Sequence, residues 1–167
     1  MSTTFADTDL GPMSLAAPTT PARSIRATYG HLWQWTGDGE DLFSLSVAVR
    51  GTRLGNSQGV RDHLHHELLQ MRVAPLARST THSSLENPQE AAAADRVDVW
   101  IDGATGAEAA EMTGVVAGNR VRERVVVATD GRLMHVVRVY VPDTPGGDDV
   151  LSKVTGSLQL LPGDLPA

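Results

Sequence analysis

The stretch Arg120–Val141 reads RVRERVVVATDGRLMHVVRVYV. Two valine-rich runs flank Asp130-Gly131, a dipeptide that between such runs is the strongest short-range signal of a β-hairpin. A two-residue loop there sets Ala128 opposite Leu133, Val126 opposite His135, Arg124 opposite Val137 and Arg122 opposite Val139. The other face pairs Val127 with Met134, Val125 with Val136, Glu123 with Arg138 and Val121 with Tyr140. The opposite charges of Glu123 and Arg138 favour this register, whereas a one-residue slip would set Arg122 against Arg138. Neither face of the hairpin is polar, and a sheet apolar on both sides needs cover on both.

The β pattern extends outward from this hairpin. Val97, Val99 and Ile101 alternate with Arg96, Asp98, Trp100 and Asp102. Asp102-Gly103 turns the chain into a strand over 107–116, and Gly118-Asn119 turns it again. Upstream, 29–35 and 42–50 form a strand pair. The second of these carries Phe43, Leu45, Val47 and Val49 on one face and Ser44, Ser46 and Ala48 on the other. A helix over 57–73 follows from the stripe Val60, Leu64, Leu68 and Met71, with Asn56 or Ser57 as cap and Pro75 as stop. A second helix, capped by Asp148 or Asp149, carries Val150, Leu151 and Val154 and ends at Gly156, before a short closing strand or turn over 157–161. Asn87-Pro88 reads as a helix start, with a loop over 75–95 as the alternative.

Three or four consecutive antiparallel strands with helices elsewhere define an α+β class. The expected architecture is one antiparallel sheet of about six strands, ending in a C-terminal meander, with the helices packed on one face. Residues 1–22 mix Ser, Thr, Pro and Ala and read as a disordered arm, 23–161 as a single domain and 162–167 as a tail. The helices would cover one face of the hairpin. The segment 75–95, a partner chain or a second copy would cover the other.

Composition narrows the function. Of 167 residues, 41% are hydrophobic, a globular rather than a disordered share. The net charge of −6 argues against general nucleic-acid binding, which needs a basic field. The absence of cysteine excludes disulfides, thiol nucleophiles and Cys-based zinc sites. No run suits a membrane span or a secretory signal, so the expected location is cytoplasmic.

No motif carries chemistry. His63 and His66 share a helix face but lack a third ligand, so no metal is expected. The glycine-rich loop 51–59 could cradle an anion at a helix start but lacks the P-loop Lys-Ser/Thr. Arg120, Arg122 and Arg124 line one strand face, as a phosphate site or an intramolecular ion-pair ladder. No nucleophile elbow is present, and Lys153, the single lysine, sits on a helix surface. Neither a catalytic residue nor a cofactor is expected. Trp33, Trp35 and Trp100 are the large anchors, for the core or for a partner. Trp33, Trp35, Met134, Val136 and Tyr140 form the candidate partner-binding set.

The run Val125–Leu133 with Asp130-Gly131, then His135–Pro142, then Asp148–Lys153 leading into Gly156-Ser157-Leu158-Gln159-Leu160, resembles the PsbP-like superfamily with its DcrB-like domains. The resemblance spans roughly residues 25–161 and rests on an opening hairpin, a helix, a run of antiparallel strands and a closing helix. It implies a non-enzymatic protein-binding domain. Within that superfamily, a chain lacking a signal peptide and a lipoprotein cysteine resembles the cytosolic chaperones of secretion effectors. These cradle hydrophobic client helices, often as homodimers. A structural subunit of a larger assembly, with the N-terminal arm as docking segment, and a small-ligand binder using His63, His66 and the arginine stripe are the alternatives.

Overall fold

The computed structural model describes residues 3–27, 30–37, 43–51, 57–70, 95–116 and 118–165. In chain order the elements are β1 (Phe5–Asp9), β2 (Met13–Pro18), β3 (Arg23–Ala27), β4 (Gly30–Thr36), β5 (Ser44–Gly51), α1 (Ser57–Gln70), β6 (Asp95–Val97), β7 (Gly106–Val116), β8 (Asn119–Thr129), β9 (Leu133–Pro142), α2 (Pro145–Gly156) and β10 (Gln159–Leu160). Seven strands form an antiparallel sheet in the order β3-β4-β5-β9-β8-β7-β6, and β1-β2-β10 form a smaller one. The α+β class and the C-terminal meander hold. The strand count is higher than expected and is divided between two sheets.

Strand alternation gives the large sheet two apolar faces, and each is covered differently. Trp33, Trp35, Leu45, Val47, Val49, Val126, Val137, Val139 and Val141 form the larger core with Met13 and Leu15 of β2 and Leu151 and Val154 of α2. On the opposite face Val60 and Leu64 of α1 close over Ala110, Val125, Val127, Met134 and Val136. Each large aliphatic side chain so buried contributes roughly 1.5–3 kcal/mol. The two helices therefore lie on opposite faces, not on one. The reason is visible in the hairpin: with both faces apolar, one helix cannot serve both, and the small sheet joins α2 on the first face.

The N-terminal segment corrects the expectation of a disordered arm. Met13, Leu15 and Ala17 alternate into the core, and each is almost fully buried. The β1–β2 turn is built locally: Gly11 takes φ +98°, its N–H donates to Asp9 Oδ1 at 2.7 Å, and Leu10 N–H donates to Met13 O at 2.8 Å. The other edge of β2 pairs with β10 at the far end of the chain. The tail also packs, through Leu165 against the core and Asp164 to Arg132 at 3.2 Å.

The hairpin register is corrected by two residues. Ala128 pairs with His135, Val127 with Val136, Val125 with Arg138 and Glu123 with Tyr140. The cause is Asp130, whose Oδ1 accepts the N–H groups of both Arg132 and Leu133 at 2.9 Å. Gly131 takes φ +93° inside that wider loop. A shift of two leaves every side chain on its expected face.

The start of α2 differs as well. Thr144 caps it, accepting Gly147 N–H at 3.1 Å, with Pro145 in the first turn. Gly147 permits close docking, since a Cβ there would lie 1.9 Å from Pro142 O. The expected helix start at Asn87-Pro88, the end of the first helix at Pro75 and most of the 51–59 loop lie outside the described residues. No helix among the described residues is long and apolar enough to cross a membrane.

Candidate functional site

α1 covers only part of its face of the sheet. It packs on β7 and β8 and reaches the near side of β9. Beyond it, β5 presents Ser44, Ser46 and Ala48, because Leu45, Val47 and Val49 take the other phase into the large core. β4 adds Leu32 and Gln34, which pair with Ala48 and Ser46. These short side chains beside a helix leave a trough of about 410 Å³, bordered by Arg50, Glu67, Arg138 and Tyr140.

An apolar row crosses the trough. Ile25 pairs with Leu32, Leu32 with Ala48, Ala48 with Val136 and Val136 with Val127. The Val136–Val127 half lies under α1. Among the described residues nothing is packed over the Ile25–Leu32 half, and Ile25 is 38% exposed.

The wall on the α1 side is an ion-pair network. Buried Glu67 accepts a hydrogen bond from Arg138 and lies 3.6 Å from Arg50 and 3.4 Å from His63. Arg138 also faces Glu123 at 3.8 Å. Burial alone would raise the Glu67 carboxyl pKa. The hydrogen bonds and charges of His63 and Arg138 outweigh that and hold it at about 2. Burial, together with the Glu123 charge, pushes the Tyr140 phenol up. The network ties α1 to the sheet with its charges mutually neutralised.

Of the candidate partner-binding set, Tyr140 and Val136 line the trough, Val136 from a largely buried position. Trp33 and Trp35 are 7% and 4% exposed, packed in the large core, because they pair with Val47 and Leu45 on the inward phase. Met134 and Val136 are buried beneath α1. Trp33, Trp35 and Met134 are corrected to core residues, and Val136 is a core residue that also lines the trough. Trp100, by contrast, is 90% exposed. Its signal was present in the sequence, since it shares the polar phase of the 96–102 alternation with Asp98 and Asp102.

The other candidates disperse. Arg120, Arg122 and Arg124 are a ladder of internal ion pairs. Arg122 reaches Glu111 at 3.1 Å, Asp143 at 2.8 Å and Asp148 at 2.5 Å, while Arg124 holds Glu111 at 2.7 Å and donates to Thr155 at 3.0 Å. These pairs lock β8 to β7 and to α2, on the sheet face away from α1. His63 and His66 stay on α1 with ring centroids 6.3 Å apart, and no group able to hold a metal occurs among the described residues. The histidines, on α1, and the arginine stripe, which pairs with α2, lie on opposite faces of the sheet.

No protein-family model matches the chain, and no curated protein matches it. A solved structure from Bacteroides thetaiotaomicron VPI-5482 is similar over 90% of this chain at 12% identity, with a TM-score of 0.46. The chain spans 45% of that structure's length. A likeness so distant bears neither on function nor on membership of a fold family.

Proposed function

We propose that the chain is a non-enzymatic protein-binding adaptor or chaperone, and that the trough beside α1 receives its client. The observation that carries this reading is the row Ile25–Leu32–Ala48–Val136–Val127, half under α1 and half bare among the described residues. The row is one residue wide. On one side it is flanked by Arg23, Gln34 and Ser46, which follow one another in register, and on the other by Arg50. That width and flanking suit an amphipathic client segment with a narrow apolar stripe, laid down as α1 already is. Small Ser46 and Ala48 allow its backbone to come close.

The order β4–β5, α1, β6 to β9 and α2 is the part of the chain that matches the resemblance to PsbP-like and DcrB-like domains, and β1, β2 and β3 before it are additional to that pattern. That resemblance favours the chaperone form of the reading, with a secretion-system client and a cytoplasmic site of action. The reading of the first 22 residues as a docking segment for a larger assembly loses its motive, since β1 and β2 are part of the fold.

Ile25→Glu and Leu32→Glu place a charge on the bare half of the row, outside both core clusters. Full-length protein expressed in its own cells is expected to retain a stoichiometric protein partner, and each variant to lose it while melting at the wild-type temperature. A wild-type chain that purifies alone, or variants that keep the partner, would end this reading.

A further inference from the structure

A second surface lies on the opposite face of the sheet. Residues 97–102 read VDVWID, and the phases are divided: Val97 and Val99 pack against the large core and Ile101 is buried, while Asp98, Trp100 and Asp102 point outward and are exposed. An indole is among the largest apolar groups a protein can expose, and tryptophan is enriched where partners bind. Beside Trp100 is a cavity of about 240 Å³, floored by Val97, Val99, Ala109 and Val126 and closed by Thr155 and Gly156.

Around the indole the outward phase carries two carboxylates, Asp98 and Asp102, with exposed Arg96 at its far end, two residues before Asp98. Asp98 has no ion pair among the described residues, and the Asp102 carboxylate accepts a hydrogen bond from Gln159 Nε2 at 3.5 Å. Arg124, the cation in the cavity wall, is committed to Glu111 and Thr155. Thr155 and Gly156 form the C-terminal end of α2, which carries the negative end of the helix dipole. Lys153 of the same turn stands over the Phe5 ring, 5.8 Å from its centroid. An exposed indole, flanked by two carboxylates without an ion pair among the described residues and by a helix C-terminus, is built to attract a cation.

We infer that this patch binds a basic segment of a protein partner. An arginine or lysine lies over the Trp100 indole between Asp98 and Asp102, and an adjoining apolar residue enters the cavity. A guanidinium suits both the ring face and the carboxylates. A second copy of this chain is a poorer occupant, because two chains of net charge −6 would meet acid to acid. The inference is independent of the trough, which lies across the sheet.

The test is selection of a random displayed-peptide library on the full-length chain, with counter-selection on Trp100→Ala. The expected peptides carry Arg or Lys beside an apolar residue, and they quench the emission of the exposed tryptophan. They bind Trp100→Ala at least about tenfold more weakly, bind Asp98→Asn/Asp102→Asn several-fold more weakly, and lose affinity as salt rises. Because Asp98 and Asp102 are surface groups, the double asparagine variant keeps the test valid if Trp100→Ala folds poorly. The inference is overturned if no selected peptide depends on Trp100, if those that do lack basic residues, or if light scattering finds a dimer that Trp100→Ala abolishes.

Discussion

Arg138 of β9 donates a hydrogen bond to Glu67 of α1 across the inner wall of the trough, so the helix that shapes the candidate site is fastened to the sheet by a largely buried ion pair. The same carboxylate lies within reach of Arg50 and His63. The pair fixes how far α1 covers its face, and therefore how much of the apolar row is left bare.

Removing one partner of such a pair strands the other. Glu67→Gln is expected to cost about 2–4 kcal/mol by urea denaturation, because Arg138 loses its main counter-charge in a half-buried setting. The pH dependence has a definite sign. The folded pKa is depressed from 4.5 to about 2, so the contribution of Glu67 is full above pH 4.5 and is lost as pH falls toward 2. The gap in stability between wild type and Glu67→Gln should therefore narrow across that window, and a gap independent of pH would contradict the assignment.

His135 is fully buried, and neither ring nitrogen has a hydrogen-bond partner of ordinary geometry. Burial lowers its pKa below 6.5, outweighing the raising effect of nearby Asp130 and of the Ala128 and Pro12 carbonyls. The unfolded chain then binds the proton more readily, so the neutral ring's contribution is full above pH 6.5 and is lost as pH falls below it. His135→Leu keeps the volume and removes the titration. Its melting temperature should change less than that of the wild type between neutral pH and pH 5.

The first 22 residues contribute to stability. Met13→Ala should cost about 2–5 kcal/mol, as a large-to-small change in a packed core. A chain beginning at residue 23 should not give a cooperative unfolding transition. A truncated chain that melts like the full-length protein would refute the placement of β2 in the core.

Asp130→Ala removes the acceptor of two backbone N–H groups and should cost about 1–2 kcal/mol. Gly131→Val adds strain at φ +93° and should cost about 1 kcal/mol or more. Equal stability of both variants and the wild type, measured in urea, would refute the loop geometry.

These features differ in how far the sequence could reveal them. The two-faced hairpin was legible because alternation survives a two-residue shift in register, but the register itself depends on a side chain, Asp130, that accepts two amides. The N-terminal hairpin was hidden because its inward residues Met13 and Leu15 stand among Ser, Thr, Pro and Ala, and because β2 completes its pairing with β10 at the other end of the chain. Trp33 and Trp35 looked like partner residues until pairing with Val47 and Leu45 put them on the inward phase. Trp100 stood in the polar phase of its own stretch, and that phase, read literally, marks it as exposed. The trough depends on how far α1 reaches across the sheet, which a periodicity cannot convey.

The claim that the bare half of the apolar row receives a client is tested most directly by site-specific photo-crosslinking in the cells that make the protein. A photoreactive residue at Leu32 or Ala48 is expected to give one discrete covalent adduct with a second protein. The same group at Arg61, on the exposed side of α1, is expected to give none. Adducts of equal yield at all three positions, or no adduct at Leu32 and Ala48, would contradict the account.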